Sequence, residues 1–255
     1  MRKIILILFL LLIINNCTKT NYISIPEDQI CLKKLVKLFI YDSNDVLNNI
    51  YFYEYDNAKR VKRELTCDSG GQLQEYVVYE YDGNNNLIKW SRCDNFHTLQ
   101  EFDIYEYDEN IIIKRSVFNA SGVLQIYYLY EYDVNGKLIK RNIFNDQDQK
   151  LAYYSFQYDI NDKLIKWSAY TTSDISLSYY TFEYYENGNL KKWSKYNASD
   201  VLQWTYVYNY DKTQKLIKVS LFDGTDLLIQ YWTFEYEYGK SNFNLADPLD
   251  VFNLL

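Results

Sequence analysis

The stretch YEYDVNGKLIKRN, residues Tyr130–Asn142, sets the architecture of the whole chain. It runs from an aromatic-rich strand through Asn135-Gly136 into a second strand. An Asn-Gly pair between alternating apolar residues is a strong signal for a β-hairpin with a two-residue type I′ turn, in which both central residues have positive φ. The stretch therefore predicts positive φ at Asn135 and Gly136, and a register that places Glu131 opposite Lys140.

Near-copies of this stretch recur through most of the chain. A fixed period of 20–50 residues marks a repeat array, in which each unit buries its apolar face against its neighbours. Here successive copies lie 26 residues apart, except for one step of 25 at Asp108–Ile111. We predict an all-β fold: an elongated or spiralling antiparallel sheet of about eight tandem hairpin repeats over residues 35–241. The copies are anchored at Tyr53, Tyr79, Tyr105, Tyr130, Phe156, Phe182, Tyr208 and Phe234.

The same register can be checked on the other copies, because facing residues in a correct pairing should be chemically compatible. It places a base opposite the acid in every copy that has an acid, and it pairs aromatic residues with tryptophan or isoleucine. One face of the sheet is then almost continuously aromatic. The other face is a Glu/Lys ladder near the Asn-Gly turns and changes to Leu, Tyr and Phe toward the opposite edge. The predicted pairs include Glu54–Arg63, Glu80–Lys89, Glu106–Lys114, Glu183–Lys192, Tyr79–Trp90, Phe156–Trp167, Phe182–Trp193, Tyr132–Ile139 and Asp133–Leu138.

The second turn of each unit is of a different kind, as in Asn119-Ala-Ser-Gly122. An Asx residue followed three positions later by Gly or Asp favours a type I turn that ends in a left-handed residue. In an open stack of hairpins a central unit has two neighbours and a terminal unit has one. Removing Tyr132 should therefore cost more stability than removing its counterpart Tyr236, unless residues 242–255 fold over the end as an apolar cap.

The aromatic face carries the candidate site residues, and two interpretations of it remain open. These residues are Tyr79, Trp90, Tyr105, Tyr130, Tyr132, Trp167 and Trp193. A stack of eight hairpins needs a buried stripe, and these rings would supply it. Alternatively the face is an exposed platform, with Arg115 and Arg141 among the rings. Such a platform would suit sugar rings or a protein partner, because amphipathic aromatic residues offer a large contact area with a polar handle.

The N-terminal segment MRKIILILFLLLIINN has the order of an export signal, with two basic residues followed by a short apolar run. Such a run is too short for a comfortable transmembrane helix. Cys17 at its end resembles the lipid-modified cysteine of bacterial lipoproteins, although Asn15 and Asn16 stand where small residues are usual. We predict a signal peptide at residues 1–16, a membrane anchor through a lipid on Cys17, and a tether at 17–34. The expected location is the bacterial cell envelope, at the outer membrane or cell surface; simple cleavage and an uncleaved anchor are the alternatives.

Composition and motifs argue against several functions. The net charge is −7 with no basic block, which disfavours nucleic acid as a partner. Acids and bases recur as facing pairs and predict solvated salt bridges rather than catalysis, and the lone His97 has no nucleophile at a motif spacing. The chain has no CxxC pair, His cluster or Gly-rich phosphate loop, so we expect no metal, no cofactor and no enzyme activity. Cys67 and Cys93 lie on equivalent strands roughly 9.5 Å apart, too far for a disulfide, and are predicted to be free thiols.

The pattern Tyr-x-Tyr-Asp-x-x-Gly-x-Leu, complete at Tyr130–Leu138, resembles the YD repeats of the Rhs group. The hairpin units also resemble those of MORN-type antitoxin-like proteins. The resemblance covers residues 35–241 and implies a spiralling or elongated antiparallel sheet. Rhs chains are much longer and their repeats enclose a C-terminal toxin, so the enclosing role does not carry over to this chain.

Two functions from different classes remain open. The first is a non-enzymatic, envelope-anchored repeat protein whose surface serves for binding, adhesion or scaffolding toward a protein or glycan. The second, which the resemblance to toxin-associated proteins implies, is an immunity or antitoxin-like protein that neutralises a partner toxin. A toxin or secretion gene next to this one would favour the second.

Overall fold

Sixteen antiparallel strands make up the computed structural model, which describes residues 35–236. Each repeat contributes two strands, rich in the Tyr, Phe, Ile and Val residues that favour a pleated backbone. The predicted signal peptide, Cys17, the tether and the tail at 242–255 lie outside the described residues. The strands are β1 (Leu35–Asp42), β2 (Leu47–Tyr55), β3 (Val61–Asp68), β4 (Leu73–Tyr81), β5 (Leu87–Asp94), β6 (Leu99–Asp108), β7 (Ile111–Asn119), β8 (Leu124–Tyr132), β9 (Leu138–Asn145), β10 (Lys150–Tyr158), β11 (Leu164–Thr171), β12 (Ser176–Tyr184), β13 (Leu190–Asn197), β14 (Leu202–Tyr210), β15 (Leu216–Asp223) and β16 (Leu228–Tyr236).

The strands close into a barrel, so the predicted elongated or spiralling open sheet is wrong. Each strand pairs with its neighbours in sequence, and β1 then pairs with β16, as where Leu38 lies opposite Phe234. The first and last units therefore have two neighbours each. This removes the physical reason for expecting Tyr236 to matter less than Tyr132.

The predicted register holds over most of each hairpin and fails next to the Asn-Gly turn. Glu131 lies opposite Lys140 as predicted, but Tyr132 pairs with Leu138 rather than Ile139. A β-bulge is the cause, because it adds one residue to the second strand. Leu138 is 2% exposed and Ile139 is 42% exposed, so the bulge turns the leucine into the barrel and the isoleucine outward. The predicted pairs Glu54–Arg63, Glu80–Lys89, Glu106–Lys114, Glu183–Lys192, Tyr79–Trp90, Phe156–Trp167 and Phe182–Trp193 are confirmed, whereas Tyr132–Ile139 and Asp133–Leu138 are wrong.

The Asn-Gly turn has the geometry of a type I turn closed by a left-handed residue, not that of the predicted type I′ turn. Only Gly136 has positive φ, at 79°, whereas Asn135 does not. The Asp133 carboxylate explains the choice, since its Oδ1 accepts the backbone N–H groups of Asn135 and Lys137 at 2.9 Å each. Fourteen of the fifteen connections share one backbone pattern, in which the first turn residue exchanges hydrogen bonds with the fourth and fifth, as Asp133 does with Gly136 and Lys137. They include the second turns, for which this is the predicted geometry. The exception is the two-residue loop of the short repeat, where Glu109 has positive φ.

The bulges provide the curvature that closes the barrel. Every one of the sixteen strand pairings contains a register shift. Each bulge bends its strand and increases the local twist. Because the bend is repeated at both ends of every hairpin, the two edges of the sheet are brought together.

The inner face of the barrel holds the hydrophobic core in rows that repeat from unit to unit. Near the Asn-Gly turns, a buried aliphatic row lies beside a row of tyrosines. Each tyrosine hydroxyl donates to the backbone carbonyl of the aliphatic residue twenty positions earlier, as Tyr132 does to Ile112 at 2.7 Å. Seven such bonds of 2.7–3.0 Å tie each unit to the one before it, from Tyr81, Tyr107, Tyr132, Tyr158, Tyr184, Tyr210 and Tyr236.

Candidate functional site

The seven aromatic residues singled out in the sequence lie on the inner face of the barrel. Tyr132 is partly buried and belongs to the tyrosine row. The other six pack in the core rather than on an exposed platform: Tyr79, Trp90, Tyr105, Tyr130, Trp167 and Trp193.

Arg115 and Arg141 also lie on the inner face instead of among exposed rings. Arg115 donates two hydrogen bonds to Asp103 Oδ2, at 2.9 Å from Nε and 2.7 Å from Nη2. Burial raises the pKa of Asp103, and the neighbouring guanidinium offsets part of that rise. Arg141 is 3% exposed and lies over the rings of Tyr154 and Tyr128, at 4.5 and 5.1 Å from their centroids. The Asp103 carboxylate beside Arg115 and the aromatic faces around Arg141 thus replace most of the water around these two cations.

Glu64 is a further buried titratable group, at the position that Trp90 and Arg115 occupy in their units. It is 1% exposed, and neither carboxylate oxygen has a hydrogen-bond partner within residues 35–236. Burial raises the pKa of Glu64 to about 8, with Tyr53 lowering it and Glu75 raising it. The side chain is therefore mostly protonated at neutral pH.

The inner face divides into two halves of different character. Toward the second-turn end, Arg92 bridges Glu75 and Glu101 at 3.2 and 2.9 Å, and all three side chains are about one-third exposed. We call the inner face of β3–β9, which holds Glu64, Arg92, Asp103, Arg115 and Arg141, the polar half. The inner face of β10–β16 holds Trp167, Tyr180, Trp193, Tyr206 and Trp232, and we call it the aromatic half.

The outer face carries the predicted Glu/Lys ladder near the Asn-Gly turns. Its side chains are between about one-third and one-half exposed, and exposed pairs of this kind contribute about 1 kcal/mol or less each. The salt bridges are Glu54–Arg63 at 3.6 Å, Glu80–Lys89 at 3.3 Å, Glu106–Lys114 at 3.0 Å and Glu183–Lys192 at 3.8 Å.

Toward the second turns, aromatic side chains of facing strands stack in pairs on the outer face. Their ring centroids lie 4.9–5.0 Å apart, with interplanar angles of 8–18°. All of them are partly buried, so each ring keeps an accessible edge. The five pairs, which we call the outer aromatic belt, are Tyr41–Tyr231, Phe102–Phe118, Tyr127–Phe144, Tyr153–Tyr170 and Tyr179–Tyr196.

Polar groups hold the belt tyrosines in addition to stacking. The Lys140 ammonium lies over the Tyr153 ring, 4.5 Å from its centroid. The Tyr153 hydroxyl donates to Oδ1 of Asp174 in the next second turn at 2.7 Å, and this bond raises the pKa of Tyr153 to about 12. One ring of each belt pair thus lies under a lysine ammonium, and Tyr127, Tyr153 and Tyr231 also donate to a turn aspartate.

The belt is interrupted at Thr205, which stands where neighbouring units have tyrosine. A groove of about 490 Å³ runs over the outer face at this point, between Tyr185 and Lys192 near the Asn-Gly turn and Phe222 and Asp226 near the second turn. Tyr185 replaces the aspartate that begins most Asn-Gly turns. A second groove, of about 610 Å³, lies on its other side along the turn edge.

The sequence predicts the Tyr and Phe character of this edge but not its role, because the more continuous aromatic pattern lies on the inner face. One signal was available. Tyr127, Tyr153 and Tyr179 are each followed twenty-one residues later by an aspartate in the second turn. This spacing links an outer ring to an outer carboxylate and distinguishes it from a core ring.

The remaining candidate residues from the sequence are one histidine and two cysteines. His97 Nδ1 lies 3.2 Å from the Tyr76 hydroxyl, and Cys67 and Cys93 are free thiols. In the part of the chain that the structure describes, no cluster of three or more His, Cys, Asp or Glu side chains could hold a metal ion. Over those same residues, no helix is long and apolar enough to cross a membrane.

Comparison with known proteins shows similarity of fold. No protein-family model matches the chain, and no curated protein matches it. A porin-like protein from Bacteroides uniformis has a TM-score of 0.53 and 11% identity, over 80% of this chain and 98% of that one. The Photorhabdus luminescens Tc holotoxin pore has a TM-score of 0.31 and 16% identity, over 81% of this chain but 13% of the toxin chain. A putative lipoprotein from Parabacteroides distasonis has a TM-score of 0.21 and 11% identity, over 82% of this chain and 96% of that one.

Proposed function

We propose that this chain is a non-enzymatic, envelope-anchored repeat protein that binds a protein or glycan partner through the outer aromatic belt. The belt itself is the observation that carries the proposal, since five stacked aromatic pairs lie partly exposed on the outside of a closed barrel. Rigid tyrosines supply contact area at a low cost in conformational entropy, and tyrosine is enriched where proteins bind partners.

The arrangement of the barrel favours the outer face over the inner face as the binding surface. The inner rings are buried, so a partner cannot reach them without opening the barrel. The outer face carries half-exposed charged pairs near one end of the strands. A barrel that spans a membrane presents instead an outward apolar band about 25 Å tall. The outer face thus suits contact with water and with a polar partner better than contact with lipid.

The proposal includes attachment to the bacterial envelope through a lipid on Cys17 after removal of residues 1–16. The order of basic residues, apolar run and cysteine supports this step. A relationship to the YD repeats of the Rhs group is proposed on the pattern at Tyr130–Leu138 alone. Mass spectrometry of the N-terminal peptide tests the anchor independently, since an unmodified Cys17 would contradict it.

The binding function can be tested by probing glycan and protein arrays with the full-length chain in detergent micelles. We expect a saturable partner whose affinity falls at least tenfold, or about 1.4 kcal/mol, in the double variant Tyr153→Leu, Tyr170→Leu. This change keeps apolar volume but removes one stacked pair. Ile139→Ala, on the outer face beside an Asn-Gly turn, is the matched control and should bind as the unchanged chain does. An affinity that the belt variant leaves unchanged, or the lack of any saturable partner, would contradict the proposal.

A further inference from the structure

The left-handed residue of each second turn varies with the neighbouring side chain of the outer face: it can pair with a hydroxyl where that side chain has one. Five units have a tyrosine at the position of Tyr153. In four of them the left-handed residue of the neighbouring second turn is an aspartate, and beside Tyr76 it is His97, whose Nδ1 lies 3.2 Å from the hydroxyl. Where the belt residue is Phe102, which has no hydroxyl, the turn residue is Gly122. Aspartate and glycine both tolerate this conformation. The backbone conformation therefore does not require aspartate at this position, and its presence correlates with a tyrosine hydroxyl that needs an acceptor. Three tyrosines donate to the turn aspartate: Tyr127 to Asp148 at 2.8 Å, Tyr153 to Asp174 at 2.7 Å and Tyr231 to Asp45 at 2.8 Å. Asp200 has the same turn position beside Tyr179.

One unit breaks this match. Its belt residue is Thr205, whose hydroxyl is 2.9 Å from that of Ser194. Its turn residue is nevertheless an aspartate, Asp226, with φ of 63°. The position that accepts a phenol in the neighbouring units is therefore kept in a unit that has no phenol of its own.

The two other contacts of a belt ring are also kept in this unit. Phe222 lies opposite Thr205 in the β14–β15 pair, so one of the two stacking surfaces is present without the second ring. Lys192 occupies the place in β13 that Lys140 occupies in β9, where the ammonium lies over the ring of Tyr153. A stacking face, a cation and a carboxylate thus surround a missing side chain.

The groove of about 490 Å³ opens beside Thr205, and Phe222, Lys192 and Asp226 all line it. Small-molecule sites have volumes of about 300–1,000 Å³. We propose that the groove binds a 4-hydroxyphenyl group, supplied by a tyrosine side chain of a partner protein. The ring stacks on Phe222, the Lys192 ammonium lies over its face, and its hydroxyl donates to Asp226. This inference rests on the proposed binding function of the outer face and narrows the partner to a protein.

The three contacts together select a phenol over other ring-shaped ligands. A sugar ring can stack on Phe222 but offers no π face to the Lys192 ammonium. A phenylalanine ring offers the π face but no hydroxyl to Asp226. A hydrogen bond to a charged acceptor is stronger than one between neutral groups, so the carboxylate should give the clearest discrimination.

The test is a titration of the full-length chain with N-acetyltyrosinamide, followed through the backbone amide resonances of Ser194 and Thr205. We expect saturable shifts, with an affinity about tenfold higher than that for N-acetylphenylalaninamide. Asp226→Gly should remove this preference, because glycine occupies the same turn position beside Phe102. Asp174→Gly, which removes the acceptor of the Tyr153 hydroxyl at 2.7 Å, is the matched control and should leave the preference unchanged.

Thr205→Tyr provides a second, independent readout. The new ring should occupy the position proposed for the ligand ring, abolish binding of N-acetyltyrosinamide and raise the melting temperature. Equal affinities for the two amides, retained binding in Thr205→Tyr, or saturable binding of a methyl glucoside at the same amides in place of the tyrosine amide would overturn the inference. Those outcomes would not affect array binding that depends on Tyr153 and Tyr170. The proposed function of the belt is therefore tested separately from this inference.

Discussion

The polar and aromatic halves of the barrel share one backbone and one set of turns, yet they fill the inner face with opposite chemistry. Equivalent positions carry Glu64, Arg115 and Arg141 in the polar half but Trp167 and Trp193 in the aromatic half. Three features are common to both halves: the backbone hydrogen bonds between strands, the capped turns and the tyrosine row. Because this common framework does not depend on the variable position, each half can be stabilised in its own way, by matched charges or by packed rings.

The aromatic half should show the largest effect of a single substitution. The ring centroid of Trp193 lies 5.2 Å from those of Trp204 and Tyr206 and 6.1 Å from that of Phe182. Trp193→Ala should lower the free energy of unfolding in urea by about 3–5 kcal/mol, because it leaves a cavity among these rings. Trp193→Phe, which keeps an aromatic ring, should cost distinctly less. A loss below about 1 kcal/mol for the alanine variant would show that this half is loosely packed.

The polar half should depend on charge matching rather than on volume. Asp103→Leu leaves Arg115 buried without its carboxylate and should cost about 3 kcal/mol. The double variant Asp103→Leu, Arg115→Met removes both charges and should recover most of that loss, as measured by urea unfolding of all three proteins. If the double variant were as unstable as the single one, packing and not the ion pair would hold this half together.

Glu64 should make the polar half sensitive to pH in a range where the aromatic half is not. The folded-state pKa is about 8, against an ordinary value of 4.5. Between these values the folded chain holds one proton more than the unfolded chain, so its stability is greatest below the unfolded pKa and falls as pH rises. The slope is about 1.4 kcal/mol per pH unit.

Urea unfolding of the unchanged chain and of Glu64→Gln between pH 5 and pH 8 isolates this contribution. The variant should lose most of the slope. Turn aspartates with lowered pKa, such as Asp133 and Asp223, act below their ordinary value of 3.8 and do not interfere. The same slope in both proteins would place the titrating group elsewhere.

The tyrosine row should give the smallest effect and the same one in both halves. Tyr132 in the polar half and Tyr236 in the aromatic half donate to carbonyls at 2.7 and 3.0 Å. Tyr132→Phe and Tyr236→Phe should each cost about 1 kcal/mol, the net contribution of one hydrogen bond. Equal losses would agree with a closed ring. A milder loss at Tyr236 would instead indicate that β16 is a free end.

The features that sequence could predict are those settled within one hairpin. The pairing of Glu131 with Lys140, next to its own turn, is one of them. The bulge was missed because Asn135-Gly136 suits two turn types, and the choice depends on the Asp133 carboxylate capping two amides. Barrel closure was missed because it results from small bends added over all units. The bend in one repeat is too small to be recognised from the sequence of that repeat. The groove at Thr205 could be recognised only once barrel closure showed which face of the sheet is the outer one.

The seam between β1 and β16 fixes the order in which the fold can assemble. Fifteen of the sixteen pairings join strands that are consecutive in the chain, whereas Lys37 meets a partner 198 positions away. Closing so long a loop is entropically costly until the intervening hairpins have formed, so the ring is joined last. Until that step both edge strands remain open to pairing with another molecule. The eight repeats therefore act as one kinetic unit, since a single unjoined seam leaves the whole barrel vulnerable to association however well its hairpins have folded.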